Sequence, residues 1–148
     1  MALVTVIAMV SVGGHVAHAA PSAALDLSQY HGKVVYLDFW ASWCAPCKLS
    51  FPFLEKLQSY YAGRNFVLLA VNVDHDRTKA DAFLREAGSN LPIVYDTTGG
   101  IARTFNVKAM PTSVVIGADG RVRYVHSGFF PDQMPLYEAH ISELLNAK

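Results

Sequence analysis

From Val34 to Phe39 (Val-Val-Tyr-Leu-Asp-Phe) the chain is apolar apart from a single Asp38. A run that does not alternate predicts a strand covered on both faces, as in a parallel or central position of a sheet. The rest of the chain offers the material to cover it. Phe66–Asn72 predicts a second buried strand and Pro92–Tyr95 a short third. Ser113–Ile116 and Val122–Ser127 predict a strand pair joined by the hairpin turn Ala118-Asp119-Gly120-Arg121.

Helical patterns lie between and after these strands. Ala45 to about Tyr61 places Leu49, Phe53, Leu57 and Tyr60 on one face, and Pro52 is expected to kink that helix. Thr78–Ala87 predicts a helix with Ala82, Phe83 and Ala87 inward and Lys79, Asp81, Arg85 and Glu86 outward. Gly100–Phe105 predicts a short helix. Gln133–Asn146 predicts an amphipathic one with Met134, Tyr137, Ile141, Leu144 and Leu145 on its core face. Strands and helices that alternate and finish in a hairpin and a helix give an α/β fold, a central mixed sheet flanked by helices.

A length of 148 residues suits one domain with a real core. A net charge of zero leaves no electrostatic footprint for nucleic acid, and none is expected as a partner. The first residues differ from the rest. Ala2 to Val12 is apolar except for Thr5 and Ser11, and Ala17-His18-Ala19 has the A-x-A form of a cleavage site. Residues 1–19 are therefore expected to be an export signal, 20–24 a small-residue linker and 25–148 the domain. No Lys or Arg precedes the apolar run, an element such signals usually carry. The run falls short of the roughly 20 residues a span needs, so no stable membrane span is expected after cleavage. The expected location is periplasmic or otherwise extracytoplasmic.

Both cysteines of the chain sit in Trp43-Cys44-Ala45-Pro46-Cys47-Lys48. A C-x-x-C is either a redox dithiol or half of a zinc site, and zinc needs a second pair or a histidine cluster. No second pair exists, so the arithmetic favours a dithiol that cycles with a disulfide; no metal and no cofactor is expected. Cys44 follows a strand and begins a helix, where free N–H groups and the positive end of the helix dipole favour a thiolate. Such settings lower a thiol from about 8.5 to roughly 3.5–7.5. Cys47, one turn later, is expected to lie beside Cys44 but more covered. Cys44 is then the exposed, attacking sulfur and Cys47 the resolving one. Pro46 stiffens the helix start and has no N–H to leave unpaired. The competing reading is a structural staple, but so small a ring constrains little chain entropy.

Asp38 is the lone charge of its strand; desolvation should raise its pKa. Asp74-His75-Asp76 reads as a solvated loop and helix cap, with Asn72 and Asp74 at most on the rim of a site. His31, His126 and His140 show no ligand spacing that links them.

The segment Asp38-Phe39-Trp40-Ala41-Ser42-Trp43-Cys44-Ala45-Pro46-Cys47-Lys48, with Pro52 beyond it and Met110-Pro111-Thr112 ahead of a strand, resembles the thioredoxin superfamily. The intervening helix and strand of Asp76–Tyr95, then Asp96–Phe105, exceed a plain thioredoxin. Together with the export signal they resemble the TlpA/ResA-like branch of extracytoplasmic thiol–disulfide oxidoreductases. The resemblance covers about Leu25 to the C-terminus and implies a thioredoxin-like fold with an inserted βα element. It implies Cys44 and Cys47 as the exchanging pair, Asp38 as proton acceptor for the resolving cysteine, and Pro111 as a cis-proline facing the dithiol. It assigns Trp43, Ala45, Pro46, Met110 and Thr112 to substrate contact: Trp43 as an apolar lip, and Met110 through backbone groups that pair with an extended substrate. Trp40 reads as core packing, and Lys48 as local positive charge or a solvated surface lysine.

Ser50 departs from the branch, many of whose members carry a Glu there, so a tuning role for that acid does not transfer. The implied partners are proteins with disulfides and an unidentified upstream thiol–disulfide electron donor. The direction leans to reduction, because Ala45-Pro46 differs little from a reductase-like Gly-Pro and no histidine adjoins Cys47. Three other readings stay open. One is an oxidase or isomerase on the same fold. Another is a peroxiredoxin-type peroxidase, although Ala41-Ser42-Trp43 does not supply its P-x-x-x-T-x-x-C setting. The third is a non-enzymatic binding or metal-carrier module, for which Met110 is a faint third ligand.

Overall fold

The computed structural model describes residues 25–147. The expected export signal and linker lie outside the described residues. Five strands form one sheet in the order β3-β2-β1-β4-β5: β1 Val34–Trp40, β2 Phe66–Asn72, β3 Ile93–Tyr95, β4 Thr112–Ile116 and β5 Val122–Ser127. β1 runs parallel to β2 and antiparallel to β4, so the sheet is mixed, with β1 at its centre. Every residue of β1 is buried, as its unbroken apolar run requires. The helices are α1 Ala45–Tyr60, α2 Arg77–Ala87, α3 Gly100–Thr104 and α4 Met134–Asn146. The segment expected as an insertion holds α2 and β3, and β3 extends the sheet beyond β2.

Alternation along β1 divides the core. Val34, Tyr36 and Trp40 pack with α1, α2 and α4 through Phe51, Leu54, Leu57, Phe83, Tyr137 and Ile141. Val35, Leu37 and Phe39 face the other way, onto Ile101 and Ala102 of α3 and the half-buried Leu27 and Tyr30. Asp38 shares the parity of Tyr36 and Trp40 and so belongs to the face that carries both cysteines. Trp40 anchors that face. Its ring lies 5.0 Å from Phe51 and 4.9 Å from Phe83, and those two lie 5.0 Å apart. Such pairs contribute about 0.5–1.5 kcal/mol each beyond area burial, and here they join β1, α1 and α2.

Two expected helix faces are corrected. Leu49 and Tyr60 are 62% exposed, and the buried side of α1 is instead Cys47, Ser50, Phe51, Phe53, Leu54 and Leu57. The stripe is rotated because α1 must turn Cys47 and Phe51 onto Trp40 rather than lay Leu49 on the sheet. In α2 the inward residues are Ala80 and Phe83, while Ala82 and Ala87 are exposed. One large ring, Phe83, sets the helix orientation, and the small alanines follow it. α1 runs unbroken through Pro52. Asp76 caps α2 by accepting from the Thr78 N–H at 3.0 Å, and Gly88 ends it at φ +62, a left-handed conformation that glycine adopts at little cost.

Candidate active site

The chain leaves β1 at Trp40 and turns through Ala41-Ser42-Trp43 into α1. The turn closes with the Cys44 N–H donating to Ala41 O at 3.1 Å. Cys44 is the N-cap of α1, and its Sγ accepts from the Cys47 N–H at 3.2 Å. That places the sulfur on the free N–H groups of a 16-residue helix, where negative charge is favoured. Ala45 and Pro46 form the first two helical positions, both exposed, and Pro46 removes one donor there. Cys44 and Cys47 are joined as a disulfide with Cα atoms 5.3 Å apart.

The expectation that Cys44 is exposed is corrected. Cys44 is 4% accessible and Cys47 0%. The order of coverage is as expected, but the difference is small. The Ala41–Cys44 turn and the helix start cover the N-cap sulfur, while Cys47 points into the core one turn later. Ser50 is buried too, and its Oγ donates to Cys47 O at 3.0 Å.

Asp38 lies 1% exposed in the middle of β1. Burial pushes its carboxyl up to about 7, against a smaller downward pull from the Ser113 hydroxyl, which donates to Oδ1 at 3.3 Å. Oδ2 is buried with no partner among the described residues. Trp43 stands 70% exposed beside the disulfide, whereas Trp40 is wholly buried.

The Met110–Pro111 peptide bond is cis. Thr112 pairs with Phe39 in the antiparallel register, so Pro111 sits at the end of the sheet from which the Cys44 turn departs. Met110 is half-buried. Thr112 is buried and gives its hydroxyl to Ala109 O at 2.8 Å, so its side chain shapes the Pro111 turn.

Asp74 is not in a solvated loop. It is 3% exposed and grips the turn before the disulfide. Its carboxylate accepts from Ser42 N and Ser42 Oγ at 2.8 Å each, and from Asn72 Nδ2 at 2.8 Å. The one cue in the sequence was its position just past a buried strand; the partner lies 32 residues away. Asp74→Ala is expected to cost about 2–3 kcal/mol in urea unfolding, because the Ser42 N–H and the Asn72 amide lose their acceptor. Ser42→Ala keeps the backbone bond and should cost about 1 kcal/mol. Equal costs for the two variants would remove the clamp from the account.

The histidines are not all scattered. His126 Nε2 and His140 Nδ1 lie 3.0 Å apart across β5 and α4, and Tyr124 stacks on His140 at 3.7 Å. Burial first, then His140, push His126 down to about 4. Among the described residues no three His, Cys, Asp or Glu side chains converge as a metal site, and no helix is long and apolar enough to cross a membrane.

A family model described as Redoxin matches residues 14–144. The thiol-disulfide oxidoreductase ResA of Bacillus subtilis (strain 168) is 32% identical over 110 residues, which is 74% of this chain and 62% of that protein. The chain thus spans about three fifths of the curated relative's length. Among solved structures, a candidate thiol:disulfide interchange protein DsbE from Chlorobium tepidum is 40% identical with a TM-score of 0.78, covering 81% of this chain and 85% of that one. The pneumococcal exposed lipoprotein thioredoxin Etrx1 of Streptococcus pneumoniae strain TIGR4 is 33% identical with a TM-score of 0.66, covering 80% of this chain and 90% of that one.

Proposed function

We propose that this chain, which belongs to the Redoxin family and is a ResA/TlpA-like member of the thioredoxin superfamily, exchanges its Cys44–Cys47 dithiol with disulfides of other proteins. The observation that carries the reading is the disulfide in the first turn of α1, with Cys44 Sγ on the Cys47 N–H. In the reducing direction Cys44 thiolate attacks one sulfur of a substrate disulfide. That S–S bond breaks, one substrate sulfur leaves as thiolate, and a mixed disulfide forms on Cys44. Cys47 gives its proton to Asp38 and its sulfur attacks Cys44 Sγ. The second substrate sulfur leaves as thiolate and takes a proton from water. Two electrons have moved to the substrate, and the protein is left as the disulfide. An upstream thiol–disulfide donor returns it to the dithiol.

The exposed Trp43, Ala45 and Pro46, with the Met110 backbone, are the groups this reading assigns to substrate contact. Their apolar, open character suits a polypeptide better than a small anion. Thr112 supports them from below rather than touching substrate. The extracytoplasmic location draws support from the Streptococcus pneumoniae relative, an exposed lipoprotein. Residues 1–19 as an export signal and 25–148 as the domain belong to the same proposal.

Direction is decided by potential. Equilibration of the protein with glutathione buffers, read by the fraction of free Cys44 and Cys47, is expected to give a potential below about −180 mV. A value well above that would assign oxidation or isomerisation instead.

A further inference from the structure

Tyr36 and Ser113 form a polar pair at the apolar core face that also carries Cys44 and Cys47. Tyr36 is 1% exposed and Ser113 is 7% exposed. The Tyr36 hydroxyl lies 2.8 Å from Ser113 Oγ, which lies 3.3 Å from Asp38 Oδ1. The directions are forced. An ionised carboxylate only accepts, so the single proton of Ser113 goes to Oδ1, and Ser113 must receive the Tyr36 proton on a lone pair. Burial raises the Tyr36 hydroxyl well above its ordinary value, so it stays a neutral donor throughout the range in which thiols exchange.

We propose that Tyr36 and Ser113 are positioning residues for Asp38, holding Oδ1 as an acceptor and leaving Oδ2 as the atom that receives the Cys47 proton. This rests on the reading of Asp38 as the base of the resolving step. Oδ2 is the carboxylate atom that is buried without a hydrogen-bond partner among the described residues. The other titratable groups packed into this face are Cys44 and Cys47 at the start of α1, Tyr61 just past its end, Tyr95 on β3, Tyr124 on β5 and Tyr137 on α4; His126 on β5, opposite Ser113 in the register, lies against Tyr137, and His140 on α4 against Tyr124. No lysine or arginine is buried among the described residues. Two hydroxyls are therefore the polar support of Asp38, and a chain in which one hydroxyl polarises the next stabilises the carboxylate more than a lone serine does.

Without that support the proton would be held too tightly. The base would already be protonated at neutral pH and could not accept from Cys47. Sulfur and proton balance are those of the resolving step above: the Cys47 S–H bond breaks, an Oδ2–H bond forms, and the Cys44–Cys47 bond replaces the Cys44–substrate bond.

The test uses 5,5′-dithiobis(2-nitrobenzoate) as the disulfide. Its first aryl thiolate is released on attack by Cys44 and its second on resolution by Cys47, so stopped-flow absorbance separates the steps. Ser113→Ala is expected to move the pH midpoint of the second step about one to two pH units upward. With the wild-type midpoint at about 7, the rate at pH 7 then falls about five- to fiftyfold, with the alkaline plateau unchanged. Tyr36→Phe should move it the same way by less, and Ser113→Thr, which keeps the hydroxyl, should restore it. Carboxyl-labelled NMR should show the Asp38 midpoint moving in parallel. If Ser113→Ala fails to fold, Tyr36→Phe, which removes one oxygen, carries the test. Wild-type midpoints in the hydroxyl variants, with Asp38→Asn abolishing the pH dependence, overturn the positioning role alone. A wild-type profile in Asp38→Asn instead overturns Asp38 as the base, and the positioning role with it.

Discussion

Cys47→Ala, reduced and mixed with a disulfide-bearing protein, is expected to accumulate a covalent adduct on Cys44 that dithiothreitol reverses. Wild type should release its product instead. Cys44→Ser should form no adduct and lose exchange by about three orders of magnitude or more, the scale on which removal of a covalent nucleophile is felt. The asymmetry comes from where one helix starts. Cys44 Sγ accepts the Cys47 N–H at 3.2 Å, which favours the sulfur as a thiolate and as a leaving group. Among the described residues Cys47 Sγ has no such donor, and Cys47 is 0% exposed against 4% for Cys44. That difference is small enough that chemistry, more than access, must set the order of attack. Non-reducing electrophoresis with mass spectrometry of the adduct reads the result. An adduct on Cys47 in Cys44→Ser would reverse the roles. Full cellular function of Cys44→Ser would point to a binding module in place of exchange.

Asp38→Asn should make the oxidised protein more stable at pH 8, by about 2–4 kcal/mol, and leave it no more stable at pH 4. Burial raises the folded Asp38 from 3.8 to about 7. The folded chain therefore binds a proton at pH values where the unfolded chain has released it. Stability falls as pH rises from about 4 to about 7 and stays low above that. Roughly three pH units correspond to about 4 kcal/mol as an order of magnitude, and burying the asparagine amide offsets part of it. His126 works in the opposite sense. Its folded value is depressed to about 4, so it contributes above its ordinary 6.5 and that contribution is lost as pH falls towards 4. Wild type and Asp38→Asn both carry it, so it cancels in their difference. Urea unfolding at the two pH values supplies that difference. A difference that does not change with pH would mean that Asp38 is not the group paying for its burial. The combination of a destabilising carboxylate and slower exchange on its removal is what a site selected for chemistry would show.

Much of the fold was legible because it rests on short-range signals. Non-alternating runs marked β1 and β2, and a turn signal marked the β4–β5 hairpin. Asp76 marked the start of α2 as a cap through local backbone chemistry. The helix faces were less legible. Apolar residues on α1 outnumber the positions the core can take, and periodicity by itself cannot say that Cys47 and Phe51 turn inward while Leu49 stays out. The cis bond at Pro111 came from resemblance, since nothing in the residues around it demands that isomer. Ser50 shows the reverse: a departure that was visible at once, whose buried bond to the Cys47 carbonyl was not.

By itself the sequence determined the identity of the redox pair, its place at the junction of a buried strand and a helix, and the isolation of one carboxylate in that strand. Those are properties of neighbours along the chain, governed by period and by the free N–H groups of a helix start. Tertiary structure alone decided which distant polar groups meet. Asp74 reaches Ser42 across 32 positions, Tyr36 and Asp38 reach Ser113 across 77 and 75, and His126 meets His140 across 14. Each of these contacts depends on strand register or helix docking, where a slip of one residue would turn the side chain to the opposite face. A buried polar group reveals its role only once its partners have been placed.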